Sequence, residues 1–267
     1  MSNIKILKQY NLVKDYMELL DREGYHLIDL NMIEPFQLED KHDQPSNIIF
    51  ERNEQIFSIR SDWTRTLLNY NENFLLDERL FGYFGQVIRD YHSFNQAGVE
   101  LYNPSQEEIL GSIALHLSFV AKNTDKKIHS IVVNNDNLLD LYLEKYQLNH
   151  DIRQLIYEKN LSELSKVLGS NHRIYQLMTA PVSQQFNLVE EEFGDCEEMI
   201  FIKEVKEKIK QYDLKFMLDL SFRSPQTYYN GFYFQVFLNY VNPLLSGGKY
   251  NNNAFGIALN LSDGGLL

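Results

Sequence analysis

The sequence predicts an α+β fold: an antiparallel sheet flanked by helices, with a mostly helical insertion. The first observation behind this is the alternation of apolar and polar residues over 80–102 around a short polar turn, a pattern typical of a hairpin. The second is the helical periodicity of residues 138–211. Strand patterns return after that segment, and strands, then helices, then strands again indicate a sheet that is interrupted by an insertion.

Local patterns predict the remaining elements. Ser105 begins a Ser-Gln-Glu-Glu capping box, so the helix after the hairpin has a defined start. N-terminal to the hairpin, the pattern predicts a helix over 4–20 that ends at Gly24, a strand over 25–33 and a polar loop over 34–47. A hairpin over 48–59 that turns at Asn53-Glu54 and a short helix from Asp62 or Thr64 follow that loop. The helix that begins at the capping box runs to about residue 122. It is followed by strands over 128–133, 216–222 and 229–237, a glycine turn over 243–250 and an apolar element over 254–261.

Composition narrows the class of protein. At 267 residues with 44% apolar side chains, the chain can form one large domain, 1–267, with an insertion over 125–215. It has no apolar run long enough to span a membrane and no signal-peptide core, so we expect a cytoplasmic location and no membrane partner. A single cysteine, Cys196, excludes an internal disulfide and a cysteine-based metal site. A net charge of −12 without a basic cluster argues against a nucleic-acid partner.

The predicted hairpin also carries a candidate site. In its second strand, Gln96, Gly98 and Glu100 are two residues apart, so they line one face. A glutamine and a glutamate around a glycine leave room for a small polar ligand. A solvated outer face explains the same pattern equally well.

Four segments, in order, resemble the signature motifs of class II aminoacyl-tRNA synthetases, in the version of histidyl-tRNA synthetase. Residues 125–215 match no motif. The segments are Ile59-Arg60-Ser61-Asp62-Trp63-Thr64, resembling Leu-Arg-Pro-Asp/Glu-x-Thr; Val87-Ile88-Arg89 with Phe94-Asn95-Gln96-Ala97-Gly98-Val99-Glu100, resembling the second motif; Tyr228-Tyr229-Asn230-Gly231, resembling Tyr-Tyr-Thr-Gly; and Gly247-Gly248-Lys249-Tyr250 with Phe255-Gly256-Ile257-Ala258-Leu259, resembling Gly-Gly-Arg-Tyr and the third motif.

This resemblance implies a pocket for histidine. A zwitterionic amino acid needs an acceptor for its ammonium group and a donor for its carboxylate, and imidazole needs partners on opposite ring edges. By the resemblance, Asp62, Thr64 and Gln96 receive the ammonium group, Glu100 and Tyr229 hold the imidazole with Tyr228 and Tyr250 nearby, and Arg89 pairs with the carboxylate. Because Glu100 and Tyr229 must face one ligand, the hairpin and the strand over 228–237 are expected side by side.

Each of these residues also has a purely structural explanation. Asp62 and Thr64 could cap a helix. Tyr228 and Tyr229 could be ordinary core and edge residues of an aromatic strand, and Arg89 could pair with Asp62 or with its neighbour Asp90. The order of the four segments favours the pocket.

The chain departs from the synthetases where those enzymes hold ATP. The loop after Arg89 is shortened to Asp90-Tyr91-His92-Ser93 and lacks the family's second arginine. Asp263 stands where the third motif closes with an arginine, and an aspartate there would repel polyphosphate. Ser224 occupies the position of the histidine-specific arginine, and Arg223, one place away, is expected to point to the other face. We also expect no C-terminal anticodon-binding domain.

A retained amino-acid pocket without the ATP-binding arginines and the anticodon-binding domain resembles the regulatory subunits of ATP phosphoribosyltransferase, a non-catalytic branch of this family. The resemblance implies a regulatory role without catalysis or cofactor, assembly with the short-form catalytic subunit in the first step of histidine biosynthesis, histidine as feedback effector, and self-association as a dimer. Two alternatives stay open: a truncated synthetase-like enzyme that activates an amino acid with ATP, and an interaction module without a ligand. ATP–pyrophosphate exchange tests the first alternative, and calorimetry with histidine tests the second.

Overall fold

The computed structural model describes residues 3–36, 47–74, 77–89, 91–224, 226–238, 241–251, 253–262 and 265–266. Within these ranges the strands are β1 His26–Ile28, β2 Ile33–Pro35, β3 Ile49–Arg52, β4 Gln55–Ile59, β5 Leu80–Arg89, β6 His92–Tyr102, β7 Ser130–Asn135, β8 Lys215–Leu218, β9 Tyr229–Phe237, β10 Leu245–Tyr250 and β11 Ala254–Asn260. The helices are α1 Asn3–Arg22, α2 Trp63–Phe74, α3 Gln106–Asn123, α4 Asp136–Lys145, α5 Asp151–Tyr157, α6 Leu161–Leu168, α7 Arg173–Thr179, α8 Val182–Phe193 and α9 Glu197–Ile209.

Eight of these strands form one sheet in the order β1-β5-β6-β11-β10-β9-β7-β8. Its pairs are antiparallel except at the two edges, where β1 joins β5 and β7 joins β8 in parallel. A separate antiparallel sheet contains β2, β4 and β3. The α+β class predicted from the sequence is therefore confirmed.

The two faces of the large sheet differ in chemistry. In β6, Ala97, Val99 and Leu101 belong to the main hydrophobic core, which they share with α3 and the helices that follow β7. Because side chains alternate along a strand, Gln96, Gly98 and Glu100 lie on the opposite face. A smaller apolar cluster around Trp63 of α2 covers part of that face, and the rest of it carries the site described below.

The locally encoded elements are found where the sequence predicts them. Residues 80–102 form the β5–β6 hairpin with continuous antiparallel pairing. Asn53 and Glu54 have φ values of 53° and 62°, as a two-residue hairpin turn with left-handed residues requires. The Ser105 hydroxyl accepts from the backbone N–H of Glu108, whose carboxylate accepts from the backbone N–H of Ser105, and this closes the predicted capping box.

Other expectations need correction. The predicted strand over 25–33 is two short strands, and the strand over 216–222 ends at Leu218. Residues 34 and 35 of the predicted loop over 34–47 belong to β2, and most of that loop lies outside the described residues. The predicted turn over 243–250 is wrong, because residues 245–250 form the strand β10. A Cβ on Gly247 or Gly248 would lie only 2.5 Å or 2.6 Å from a carbonyl oxygen of a neighbouring strand, so these glycines permit close strand pairing.

The predicted contact between the hairpin and β9 is also wrong, since β11 and β10 separate β6 from β9. In the segment 125–215, α4 to α9 run between β7 and β8, and both of those strands pair within the large sheet. The helical content of this segment is as predicted. Its status as an insertion stays a prediction.

Candidate functional site

An open pocket of about 320 Å³ lies on the polar face of the large sheet. We call it the tyrosine pocket. Six of the eight residues that the sequence singles out line it: Asp62, Thr64, Arg89, Gln96, Tyr228 and Tyr229. They come from the start of α2, the two strands of the β5–β6 hairpin and the start of β9. The fold thus brings together side chains that are up to 167 positions apart, Asp62 and Tyr229.

Asp62 is the most connected of these residues. Its Oδ1 accepts from the backbone N–H of Arg65 at 3.1 Å, so it caps α2. Arg89 donates from Nη2 to Asp62 Oδ2 at 3.0 Å and from Nε to the Ser61 carbonyl at 2.7 Å. The Tyr228 hydroxyl lies 3.1 Å from both Asp62 oxygens. The structural explanations for Asp62 and Arg89 are therefore both present, and the pair places a carboxylate and a guanidinium side by side in the pocket wall.

Glu100 lies one layer behind the wall. It is 0% exposed, and its Oε1 accepts from the Thr64 hydroxyl at 2.5 Å while its Oε2 accepts from the Tyr250 hydroxyl at 2.7 Å. Burial raises its pKa to about 8, against the opposing effect of these hydrogen bonds, because an ionised carboxylate is poorly solvated there. Glu100 and Tyr250 are absent from the pocket surface, so in this structure they position Thr64 and the sheet beneath the ligand space.

Gln96 presents an unsatisfied acceptor. The residue is 7% exposed, and its Oε1 has no hydrogen-bond partner within the described parts of the chain. Buried polar atoms are nearly always paired in folded proteins, so an unpaired oxygen in a pocket wall indicates a place for a ligand donor. An ammonium group supplies such a donor.

The space next to Gly98 is not available to a ligand. A Cβ on Gly98 would lie 2.3 Å from the hydroxyl of Tyr83, which pairs with Gly98 across the hairpin. The glycine therefore makes room for Tyr83, contrary to the expectation that it makes room for a ligand. Tyr83 is itself fully buried, and burial raises the pKa of its hydroxyl.

The sequence analysis does not predict the residues of the outer half of the pocket. Tyr233 and Gln235 follow Tyr229 on the same face of β9, and Gln235 Nε2 donates to the Tyr233 hydroxyl at 2.8 Å. The alternation of β9 was a usable signal for these two residues. Loop residues had no such signal. The remaining lining residues are Phe94, Ser224, Gln226, Asn242, Pro243, Leu244, Ser246, Ala258 and Asn260.

Charge in this pocket is scarce. Within the described residues, Arg89 is the only cationic side chain in the lining, and it is paired with Asp62. Ser224 lines the pocket, whereas the guanidinium of Arg223 lies 5.3 Å from the centre of the Tyr157 ring, which belongs to α5. Asp263 and Asp90 lie outside the described residues.

The chain is similar to known proteins over nearly its whole length. The family model described as histidyl-tRNA synthetase matches residues 5–262. The chain belongs to the histidyl-tRNA synthetase family. A relative from Staphylococcus aureus strain Newman, named ATP phosphoribosyltransferase regulatory subunit, is 27% identical over 255 residues, which are 92% of this chain and 94% of that protein.

Solved structures of the family agree in fold. One is titled an ATP phosphoribosyltransferase regulatory subunit/histidyl-tRNA synthetase from Bacillus halodurans; it superposes with a TM-score of 0.75 at 19% identity over 96% of this chain and 78% of that chain. Another is the ATP phosphoribosyl transferase (HisG:HisZ) complex from Thermotoga maritima, with a TM-score of 0.78 at 15% identity over 95% and 97%. These likenesses confirm the class II synthetase-like fold that the four segments predicted.

Metal sites and membrane-spanning helices are not found in the part of the chain that the structure describes. Within them, no three or more His, Cys, Asp or Glu side chains are grouped so that they could hold a metal ion. None of the helices described has both the length and the apolar content that crossing a membrane requires.

Proposed function

We propose that this chain is a non-catalytic regulatory subunit of an ATP phosphoribosyltransferase and that it binds histidine as a feedback effector in the tyrosine pocket. Its relatives with near full-length coverage carry the regulatory-subunit name. The solved complex from Thermotoga maritima, similar in fold, supports a short-form catalytic subunit as the partner. We expect the complex to act in the cytoplasm in the first step of histidine biosynthesis.

One observation carries the non-catalytic part of the proposal: the only cation lining the described pocket, Arg89, is paired with Asp62. Amino-acid activation develops negative charge on a polyphosphate, and enzymes stabilise that charge with cations placed around it. A single arginine that already neutralises a carboxylate is a poor substitute for that set of cations. By contrast, the pocket contains several groups that can bind an amino acid: Asp62, Gln96 and three tyrosines line it.

The contacts suggest how histidine would lie. Its ammonium group would donate to the free Oε1 of Gln96 and to Asp62, and its carboxylate would face the guanidinium of Arg89. The imidazole would then extend towards Tyr228 and Tyr229, whose rings are 4.7 Å apart. Glu100 would act through Thr64, because both of its oxygens are occupied.

Feedback in this scheme is a coupling between two sites on different subunits. Histidine can inhibit only to the extent that it binds the inhibited complex more tightly than the active one. The same coupling makes substrate binding on the partner weaken histidine binding here. We further expect the chain to form a dimer through self-association, and the exposed apolar residues Leu7 and Tyr10 on α1 are available for such contacts.

Three measurements on the purified chain test the proposal. The chain should capture a short-form catalytic subunit, and the activity of that subunit should depend on it. Calorimetry should detect histidine binding, and ATP–pyrophosphate exchange with histidine should be absent. Exchange by the pure chain that disappears in Arg89→Met would establish an activating enzyme instead, and failure to capture the catalytic subunit would remove the regulatory role.

A further inference from the structure

A second pocket, of about 330 Å³, lies behind the first, where the initial residues of three helices meet the ends of β9 and β10. We call it the helix-end pocket. The helices α3, α4 and α9 contribute Gln106, Asn137 and Glu198. Lys249 lies between Gly248 and Tyr250 in β10, so its side chain leaves the sheet on the face opposite the tyrosine pocket. The two pockets therefore share strands and no lining residue.

The helix-end pocket contains donors that have no acceptor. Asn135 is 5% exposed; its Oδ1 accepts from the backbone N–H of Asn137 at 3.1 Å, and its Nδ2 makes no hydrogen bond with any described residue. An amide nitrogen carries two N–H donors, and Asn135 lines the pocket, so its Nδ2 is available to a ligand acceptor there. Lys249 makes no ion pair with any described carboxylate, and its Nζ lies 4.9 Å from the centre of the Phe201 ring.

Acidic side chains lie at the same pocket. Glu197 and Glu198 occupy the first turn of α9, where they also complement the helix dipole. Glu198 accepts from Asn137 Nδ2 at 3.4 Å, whereas Glu197 is exposed and has no partner in the described chain. Two carboxylates repel a multiply charged anion such as phosphate. A ligand with one carboxylate and one ammonium group satisfies both sets of residues.

We propose that the helix-end pocket binds a zwitterionic α-amino acid, independently of the tyrosine pocket. The ligand carboxylate accepts from Lys249 and Asn135, and the ammonium group donates to Glu197. The side chain lies over Phe201 and Phe232, which form the apolar part of the lining. The amides of Gln106, Asn137 and Asn230 favour a planar polar side chain, a carboxamide or an imidazole.

Calorimetry on the full chain tests this site. The parent protein for the experiment is the full-length variant Gln96→Leu, which lacks the free acceptor of the tyrosine pocket. The probes are L-glutamine, L-asparagine and L-histidine. At least one probe should bind with one site per chain, and Lys249→Met should weaken that binding about tenfold, the effect of losing a hydrogen bond to a charged group. Lys122→Met, an exposed lysine at the end of α3, is the matched control and should change nothing.

Derivatives of the probe separate a zwitterion site from a general anion site. Blocking the amine by acetylation or the carboxylate as an amide should each weaken binding at least tenfold. The proposal is overturned if none of the three probes binds, if Lys249→Met binds as tightly as its parent, or if acetate or inorganic phosphate binds as tightly as the amino acid. Should Lys249→Met fail to fold, Glu197→Gln replaces it and is expected to weaken binding of the same probe.

Discussion

Tyr250 donates a 2.7 Å hydrogen bond to Oε2 of Glu100 across a strand that lies between them. Glu100 is in β6 and Tyr250 is in β10, and β11 separates the two. The residue of β11 opposite Glu100 is Gly256, where a Cβ would lie 2.3 Å from the same oxygen. The absence of a side chain at Gly256 is what allows this contact to form beneath the tyrosine pocket.

Gly256→Ala should therefore destabilise the protein. The added methyl group displaces a buried carboxyl group from two hydrogen bonds, and overpacking of this kind costs about 1–3 kcal/mol in the free energy of unfolding. Gly111→Ala is the matched control: it lies within α3, and an added Cβ would meet nothing within 4 Å. That variant should gain about 0.5–1 kcal/mol from helix propensity. Urea unfolding of both variants checks the pair, and equal stabilities would contradict the packing described.

Glu100 should make stability depend on pH. Its pKa in the folded state is raised to about 8 from a usual value of 4.5, so the folded chain holds a proton that the unfolded chain releases. The protonated carboxyl stabilises the fold most fully below pH 4.5, and this contribution is lost as the pH rises through 8. As the pH rises from 5 to 9, the free energy of unfolding of the wild-type chain should fall by a few kcal/mol relative to that of Glu100→Gln. A difference that does not change with pH would mean that Glu100 is ionised in the fold.

His116 should have the opposite dependence. Its Nδ1 lies 2.7 Å from the Ser112 carbonyl and must carry the proton, and its Nε2 accepts from the Tyr16 hydroxyl at 2.7 Å. Burial lowers the pKa of the ring to about 4, so protons bind the unfolded chain preferentially between pH 6.5 and 4. As the pH falls over that range, the free energy of unfolding of the wild type should decrease by up to about 1.4 kcal/mol per pH unit relative to His116→Gln. Parallel pH profiles of the two proteins would contradict this.

Local signals account for the parts of the fold that the sequence predicts well. The capping box at Ser105 and the turn at Asn53 and Glu54 depend on residues only a few positions apart, so the sequence contains the whole cause. The glycines of β10 resemble a turn until β11 and β9 are known to lie on either side of them. Strand order is likewise set by contacts between distant segments, and no local pattern encodes it.

The same distinction applies to the site. The motif residues were found because their order along the chain resembles a known family. The position of Glu100 behind Thr64, with its other oxygen bonded to Tyr250, does not follow from the sequence, because it depends on how deep one side chain lies below a surface formed by other segments. Likewise, the sequence leaves three partners open for Arg89, namely a ligand carboxylate, Asp62 and Asp90, and only the folded structure shows the pairing with Asp62.

Gln96→Leu should stabilise the ligand-free chain and weaken histidine binding. It removes a buried acceptor that has no partner, and an unsatisfied group of this kind costs about 1–3 kcal/mol. Gln185→Leu is the matched control, since Gln185 is 2% exposed, lies outside the tyrosine pocket and accepts from the backbone N–H of Leu220 at 3.3 Å. The control should be destabilised and should bind histidine normally in calorimetry. Identical stability changes in the two variants would mean that Gln96 is already satisfied.

Feedback inhibition by histidine in the reconstituted complex is the decisive test of the tyrosine pocket as the histidine sensor. The complex of this chain with a short-form ATP phosphoribosyltransferase catalytic subunit is titrated with histidine, and the concentration for half-inhibition is compared for the wild type, Gln96→Leu and Gln185→Leu. We expect equal basal activity in all three complexes and a rise of about tenfold or more in the half-inhibiting histidine concentration for Gln96→Leu alone, from the loss of a charge-assisted hydrogen bond. Half-inhibition at the same histidine concentration in all three, in complexes that assemble normally, would contradict the tyrosine pocket as the sensor.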